Sequence, residues 1–302
     1  MGASIYGVNI SLWVSVVFIV AYVCLFLWGV YRNRIGLALS CVPHRSRIQK
    51  VGTGALYWLN PILFVAIWGV VSLTKLVPSS ILPSPIDVAQ SFATLLASGV
   101  LLPEVLASVQ RIVIGFSLAA AGGVPLGLAA GAFIVGRQLV NPINSFMRYI
   151  PPTAFIALMI VYFGVGEAFK VMVVFFGVIF FIVQMIIDVV DDVDARYVEI
   201  ALTSGLSNGE VFRRVIIPYC LPKILDVLRV NLGAAWTFLV AAELIGAQTG
   251  LGHFIAVSQR FLRLNDLYAG ILTFGVIGLV TDFVLERLSR RIFPWYYIAL
   301  KR

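Results

Sequence analysis

Charged residues are scarce in this sequence. Only 12% of its 302 residues are charged, whereas an average soluble domain is about a quarter charged. Hydrophobic residues make up 61% of the chain, and the mean hydropathy is +1.00. So apolar a composition excludes an ordinary soluble domain and indicates an integral membrane protein.

Groups that support catalysis are also few. The two histidines, His44 and His253, fall on opposite sides of the membrane in the topology derived below, so no histidine-based metal site or catalytic triad can form. The three cysteines are odd in number and predict no disulfide framework. The phosphate-loop pattern G-x-x-x-x-G-K-[ST] does not occur. We therefore expect a protein that is not an enzyme, with no catalytic residue, metal or cofactor of its own.

Long apolar runs, in contrast, are abundant. A membrane-spanning helix needs roughly 20 mainly apolar residues. The sequence has about seven such runs in close succession, at residues 11–30, 54–76, 107–134, 143–163, 168–189, 224–246 and 267–286. This pattern predicts an all-α integral membrane protein with about seven transmembrane helices and no separate soluble domain.

The basic residues determine the predicted topology. They are spread over short connecting segments and form no single basic face, which argues against nucleic-acid binding. If the segment after the first run is cytoplasmic, 17 of the 22 Lys and Arg residues lie on the cytoplasmic side. This asymmetry follows the positive-inside rule and predicts an outside N-terminus and an inside C-terminus.

The two ends of the chain have distinct predicted roles. Residues 1–50 read as an anchor helix followed by a basic cytoplasmic linker. The first run has no basic residue before it, unlike a secretory signal, so we expect it to be retained. At the other end, residues 292–302 place Trp295, Tyr296 and Tyr297 beside terminal basic residues, as an interfacial anchor does.

Three glycines mark a predicted packing face. Gly123, Gly127 and Gly131 follow one another at intervals of four and therefore share one side of a helix. Small residues in this spacing let two helices approach closely in lipid. We expect this helix to be central to the bundle.

A pair of prolines interrupts the fourth run. Pro151 and Pro152 remove two amide donors and force a kink or a break within the membrane. Such a break can mark a permeation route or can be a simple proline kink. The neighbouring Arg148 can bind an anion in that route, or it can extend to the cytoplasmic boundary as long basic side chains do.

Intramembrane charges allow a second function. Glu243 is either part of a pathway or a structural hydrogen-bonding group. Together with Asp282, it can also serve an ion-coupled secondary transporter as a titrating carboxylate. Arg111, near the predicted outer face, can bind an anion, pair with Glu104 or reach the lipid headgroups.

The segment from 192 to 222 is predicted to be a long cytoplasmic connection that is interrupted by a glycine and a proline. A first short helix is predicted to end at Gly205, which suits a left-handed C-terminal cap. Ser207 and Glu210 have the spacing of a capping box that begins a second helix, and Pro218 is predicted to end it. About thirty residues is long for a simple connector. The segment is therefore either a docking element for another protein or an amphipathic pair lying on headgroups.

The sequence EIALTSGLSNGEVFRRVIIP resembles the EAA loop of the membrane subunits of bacterial ABC importers. That pattern has Glu-Ala-Ala, three residues, Gly, nine residues and Ile-x-Leu-Pro. The matching positions are Glu199, Ala201, Gly205, Val215, Ile217 and Pro218. Ile200 stands in place of the first alanine of the pattern. The resemblance implies that Glu199, Ala201, Gly205, Ser207 and Pro218 belong to a surface that docks on an ATPase.

The resemblance extends from about Ile81 to Arg291. The stretches LPSPIDV, NPINSFMRYIPPTAF and VAAELIGAQTGLGHFI are similar to the permeases of nitrate, sulfonate, taurine and bicarbonate importers. This implies a six-helix permease core within residues 51–291, preceded by one extra helix, in a bacterial inner membrane. It also implies a separate ATPase that holds ATP and Mg, a second permease copy, an external binding protein and a small solute, such as an anion.

Overall fold

The computed structural model describes residues 53–74 and 77–299, which form helices and contain no strand. Contacts divide the chain into two compact units, Met1–Ser91 and Phe92–Arg302. The predicted anchor helix and basic linker of residues 1–50 lie outside the described residues. The all-helical membrane fold is confirmed.

The first unit contains helix α1 and the beginning of α2. Helix α1 (Thr53–Leu73) covers most of the second predicted run, residues 54–76. Within this unit, the indole Nε1 of Trp68 donates a hydrogen bond to the carbonyl oxygen of Pro83 at 3.0 Å. Helix α2 (Pro85–Ala97) begins after a serine whose Oγ accepts from the Asp87 amide at 3.1 Å, as an N-cap should.

The second unit contains the remaining helices. These are α3 (Leu101–Ala132), α4 (Ile134–Arg148), α5 (Phe155–Phe163), α6 (Glu167–Asp191), α7 (Ala195–Thr203), α8 (Asn208–Val211), α9 (Ile217–Gly246), α10 (Leu251–Arg260), α11 (Leu264–Ile292) and α12 (Pro294–Ala299). A 3-10 turn at Pro152–Ala154 precedes α5, and a π turn at Phe212–Ile216 joins α8 to α9.

Four of these helical segments are long and apolar enough to cross a membrane, namely α3, α6, the run from α8 through α9, and α11. They coincide with four of the predicted runs. The predicted run 143–163 falls on α4 and α5, which are bent by 79° and together form a possible fifth span. Helix α10 has 10 residues, about 15 Å in length, and is too short to cross a 30 Å hydrocarbon layer.

The core forms where α3 packs on α6. A Cβ atom added to Gly127 would lie 2.8 Å from the Cβ of Ile186, and one added to Gly131 would lie 2.6 Å from the Cβ of Val190. Gly123 meets Ile182 in the same way, at 2.9 Å. The three glycines therefore allow the two helices a contact that any side chain would prevent.

The end predicted for the second short helix is wrong. Helical structure continues from Asn208 to Gly246 over 39 residues and passes through Pro218. Just before the proline, the Ile217 amide donates to the Phe212 carbonyl in the wider pattern of a π turn. Pro218 then lies in the first turn of α9, where its missing amide disturbs the helix least.

Candidate functional site

The segment between α6 and α9 is a helix, a glycine turn and a second helix. Asp194 caps α7, since its Oδ1 accepts from the Arg196 amide at 3.0 Å. Gly205 then takes a φ of +86°, and the Leu206 amide donates back to the Ala201 carbonyl at 3.2 Å. The left-handed cap predicted at Gly205 is confirmed, and it turns the chain sharply between α7 and α8.

The predicted capping box is also confirmed. Ser207 Oγ accepts from the Glu210 amide at 3.4 Å, and Glu210 Oε2 accepts from the Ser207 amide at 3.1 Å. Two backbone donors at the start of α8 are thus satisfied by side chains only three residues away. The orientation of α8 after the turn therefore depends on local interactions.

The residues with a predicted docking role are divided between surface and interior. Glu199, Gly205, Ser207 and Pro218 are exposed, whereas Ala201 is only 8% exposed and packs inward. Sequence reasoning missed three exposed apolar side chains on α7. They are Tyr197, Ile200 and Leu202, at 53%, 63% and 43% exposure. The one available signal was Ile200, a large residue where the family pattern has alanine.

Several contacts tie this segment to the long helices. Lys223 Nζ of α9 bonds Asp192 Oδ2 at 2.9 Å, and the Tyr219 hydroxyl donates to the Asp192 carbonyl at 3.3 Å. The ring of Phe212 packs on Phe133, which joins α3 to α4, with centroids 5.1 Å apart. These contacts connect the segment to α9 and to the junction of α3 with α4.

The interrupted helix lies beside α6 and α9. Pro151 has an extended ψ of 129°, and the 3-10 turn that begins at Pro152 redirects the chain into α5. Arg148 occupies the last turn of α4, and its Nε is buried without a hydrogen-bond partner. The prolines therefore produce a real break, with a charged residue directly before it.

At the end of α6 opposite to α7 and α8, Arg111 is buried among hydrogen-bond acceptors. The side chain is 3% exposed, and Nη1 donates to Glu243 Oε1 at 2.6 Å. Nη2 donates to Glu167 Oε1 at 2.8 Å, and Nη1 also reaches the Thr249 carbonyl at 2.7 Å. Arg111 thus neither pairs with Glu104 nor reaches the headgroups, because its side chain is buried and these acceptors satisfy its guanidinium.

Helix α10 is held by the same cluster through its backbone. The Gly252 amide donates to Glu243 Oε2 at 2.8 Å, and the Leu251 amide donates to Ser108 Oγ at 2.9 Å. The Gly250 amide donates to Glu104. The first amides of a helix have no partner within it, so these side chains fix the start of α10. The sequence analysis named Glu243 and missed Ser108. The signal was present, because Glu104, Ser108 and Arg111 are spaced by four and three residues and therefore share one face of α3.

Asp282 belongs to a separate ion pair between α9 and α11. Asp282 accepts two hydrogen bonds from the Arg229 guanidinium, one from Nε and one from Nη2, and the second is 2.6 Å long. Arg229 Nη2 also donates to Glu286 Oε2 at 3.2 Å. Arg229 and Asp282 border a cavity of about 710 Å³ between α9, α10 and α11, with Trp236 and Phe274 in its wall. Asp282 and Glu243 therefore belong to different ion pairs, the first with Arg229 and the second with Arg111.

Residues 123–294 match the family described as "Binding-protein-dependent transport system inner membrane component". The chain is 37% identical over 215 residues to a "probable ABC transporter permease protein" of Brucella melitensis, covering 71% of this chain and 87% of the relative. It is 31% identical over 239 residues to the taurine transport system permease protein of Escherichia coli, covering 78% and 87%. The MetNI methionine ABC transporter in an inward-facing conformation matches in fold, with a TM-score of 0.57 and 18% identity over 64% of this chain and 95% of that one.

Proposed function

Because the chain belongs to the family of binding-protein-dependent transport inner membrane components and is a multi-pass ABC permease subunit, we propose that it forms the path of an importer for a small anion. The observation that carries the proposal is the segment of α7, the Gly205 turn and α8. It has an ordered surface, exposed apolar side chains and direct contacts to α9.

The proposal requires an external source of energy. A cytoplasmic ATPase binds the exposed face of α7 and α8 and carries ATP and Mg. Tyr197, Ile200 and Leu202 supply the apolar contact, and Glu199 lies on the same short helix. Movement of the ATPase is transmitted through Phe212 to the α3–α4 junction. A second permease copy and an external solute-binding protein complete the assembly.

The orientation follows from this docking. Placing α7 and α8 in the cytoplasm puts the C-terminus inside and, with seven spans, the N-terminus outside. Arg111 and Glu243 then lie near the outer surface, about 37 Å from the cytoplasmic end of the 25-residue helix α6. The solute passes the break at Pro151 and Pro152.

The proposed solute is a small oxyanion such as nitrate, a sulfonate, taurine or bicarbonate. The similarity to a taurine permease and the arginine beside the helix break support this class. In this assignment Glu243 belongs to the outer wall of the pathway, where its carboxylate already accepts from Arg111, Ser108 and the Gly252 amide.

The test is copurification of the tagged chain from membranes in mild detergent. We expect a phosphate-loop ATPase at about one per permease. Gly205→Asp places a side chain at φ +86°, a strain of roughly 1–2 kcal/mol, and a charge in the bend, so the ATPase should be lost. Gly99→Asp is the matched control, because Gly99 also has a positive φ, of +72°, with nothing within 4 Å of the added Cβ.

Two results oppose the proposal. Retention of the ATPase by Gly205→Asp would remove the docking role from the turn. A wild-type chain that purifies without an ATPase and transports in liposomes without ATP would support the ion-coupled alternative based on Glu243 and Asp282.

A further inference from the structure

Helix α4 carries its polar residues on the side that faces the protein. Arg137, Asn141, Asn144 and Arg148 follow one another at spacings of four, three and four, and so share one face. Asn144 is 2% exposed, and its Nδ2 lies 3.5 Å from Gln184 Oε1 of α6. The other face is apolar and open, with Val135, Leu139, Ile143 and Phe146 at 65–68% exposure. The polar stripe is therefore directed into the bundle.

Contacts along α6 show how deep this stripe reaches. Arg137 pairs with Asp191 at the end of α6, and Asn144 lies level with Gln184. Beyond the break, the ring of Phe155 stacks on Phe176, with centroids 6.0 Å apart. Arg148 lies between the last two contacts, so its backbone is level with the middle of α6.

This position along α6 favours the pathway interpretation of Arg148 over the alternative in which it extends to the cytoplasmic boundary. The middle of a 25-residue helix is about 18 Å from either end, farther than an arginine side chain can reach. A charged side chain at the centre of a bilayer costs about 2.5–3.5 kcal/mol even by insertion scales, so it is kept where it meets water or a counter-ion.

Arg148 has no protein counter-ion in the described part of the chain. Arg111, Arg137 and Arg229 each contact a carboxylate, whereas no carboxylate of residues 53–74 or 77–299 lies within 4.0 Å of Arg148. Three polar atoms of the stripe are buried without a hydrogen-bond partner, namely Asn141 Oδ1, Asn144 Oδ1 and Arg148 Nε. This face of α4 therefore has buried polar atoms without hydrogen-bond partners, close to the break in the helix.

We propose that Arg148, Asn144 and Asn141 form a binding subsite for one oxyanion during transport. The guanidinium fork binds two oxygens of a nitrate, carboxylate, bicarbonate or sulfonate group. The unpartnered atoms of the two asparagines are the acceptors Oδ1, so their side-chain amides rotate to present Nδ2 and donate to a remaining oxygen. Pro152 lacks the amide that would bond the Arg148 carbonyl, and backbone freed within a membrane must be buried in protein or line an aqueous route. The subsite rests on the proposed importer function and assigns the solute contact within it.

The test measures anion binding by thermal stability. Wild-type protein, purified in detergent with its copurifying subunits, is heated at constant ionic strength in sodium chloride, nitrate, bicarbonate or methanesulfonate. We expect at least one oxyanion to raise the unfolding midpoint above that in chloride, because a ligand that binds only the folded state stabilises it. Arg148→Met should abolish the rise, and Arg148→Lys should reduce it, since lysine keeps the charge without the fork.

Arg137→Met is the matched control, because Arg137 shares the stripe and already pairs with Asp191. It should keep the oxyanion-dependent rise. If Arg148→Met does not fold, Arg148→Lys and Asn144→Leu decide the result. The proposal is overturned if no oxyanion stabilises the wild type more than chloride does, or if the Arg148 variants respond as the wild type does.

The outcomes separate this subsite from the importer proposal. If an ATPase copurifies but Arg148→Met responds to oxyanions as the wild type does, the importer proposal stands and the subsite proposal is wrong. If no ATPase copurifies but the oxyanion-dependent rise in the unfolding midpoint is lost in Arg148→Met, the subsite proposal stands and the importer proposal is wrong.

Discussion

Replacing Arg111 by methionine should release α10 from the helix bundle. The wild-type guanidinium contacts Glu243, Glu167 and Thr249, and Glu243 is 1% exposed. Methionine fills much of the same volume but leaves the Glu243 carboxylate buried without its cation. That carboxylate also holds the Gly252 amide at the start of α10. We therefore expect the unpaired Glu243 carboxylate to destabilise the packing of α10 against the bundle.

The magnitude follows from the burial of the two partners. Breaking a buried ion pair by removing one member costs about 3–5 kcal/mol. Glu167 is 65% exposed, so its pair with Arg111 adds at most about 1 kcal/mol. At 1.4 kcal/mol per factor of ten, loss of the buried Arg111–Glu243 pair alone increases the fraction of molecules in which α10 is detached from the bundle on the order of a hundredfold or more.

Hydrogen–deuterium exchange of the detergent-purified protein measures this population. We expect faster exchange in Leu251–Arg260 and little change in the middle of α6. Adding Glu243→Gln to Arg111→Met removes the stranded charge and should recover part of the protection. Arg263→Met is the control, because the Arg263 side chain is 59% exposed and its ion pair with Asp266 is 3.9 Å long. Unchanged exchange of α10 in Arg111→Met would refute the reasoning.

Two further predictions concern helix packing and the second ion pair. Gly127→Ala should destabilise the protein by about 1–3 kcal/mol, because its Cβ would lie 2.8 Å from Ile186. The matched Gly233→Ala has nothing within 4 Å and should be neutral or slightly stabilising, so equal thermal-inactivation midpoints would contradict the packing assignment. Asp282→Asn weakens a partly exposed pair with Arg229, worth about 1 kcal/mol or less, and should retain ATP-driven uptake that an uncoupler does not abolish. Loss of uptake in a folded Asp282→Asn protein would favour the ion-coupled alternative.

The interactions that the sequence predicted well are local. The Gly205 cap and the Ser207–Glu210 box each depend on atoms within a few residues of one another, so spacing alone identifies them. The apolar runs predict the long helices for a similar reason, because a lipid environment requires each span to satisfy its own backbone. The four-residue spacing of the glycines likewise indicated one packing face.

Other features depended on tertiary structure. The sequence could not show that Ser108 and Arg111 meet Glu243, which is more than 130 positions away, or that Ala201 faces inward while Ile200 is exposed. It left two interpretations of Arg148 open, because they depend on which residues of α6 lie beside it.

The sequence by itself determined the membrane class, the long helices and the local caps and turn of the segment from 192 to 222, because these depend on composition and on neighbours along the chain. Only the tertiary structure decided which charges are paired, where α10 is anchored and that Arg148 has no carboxylate partner among the described residues, because those properties depend on how distant helices pack.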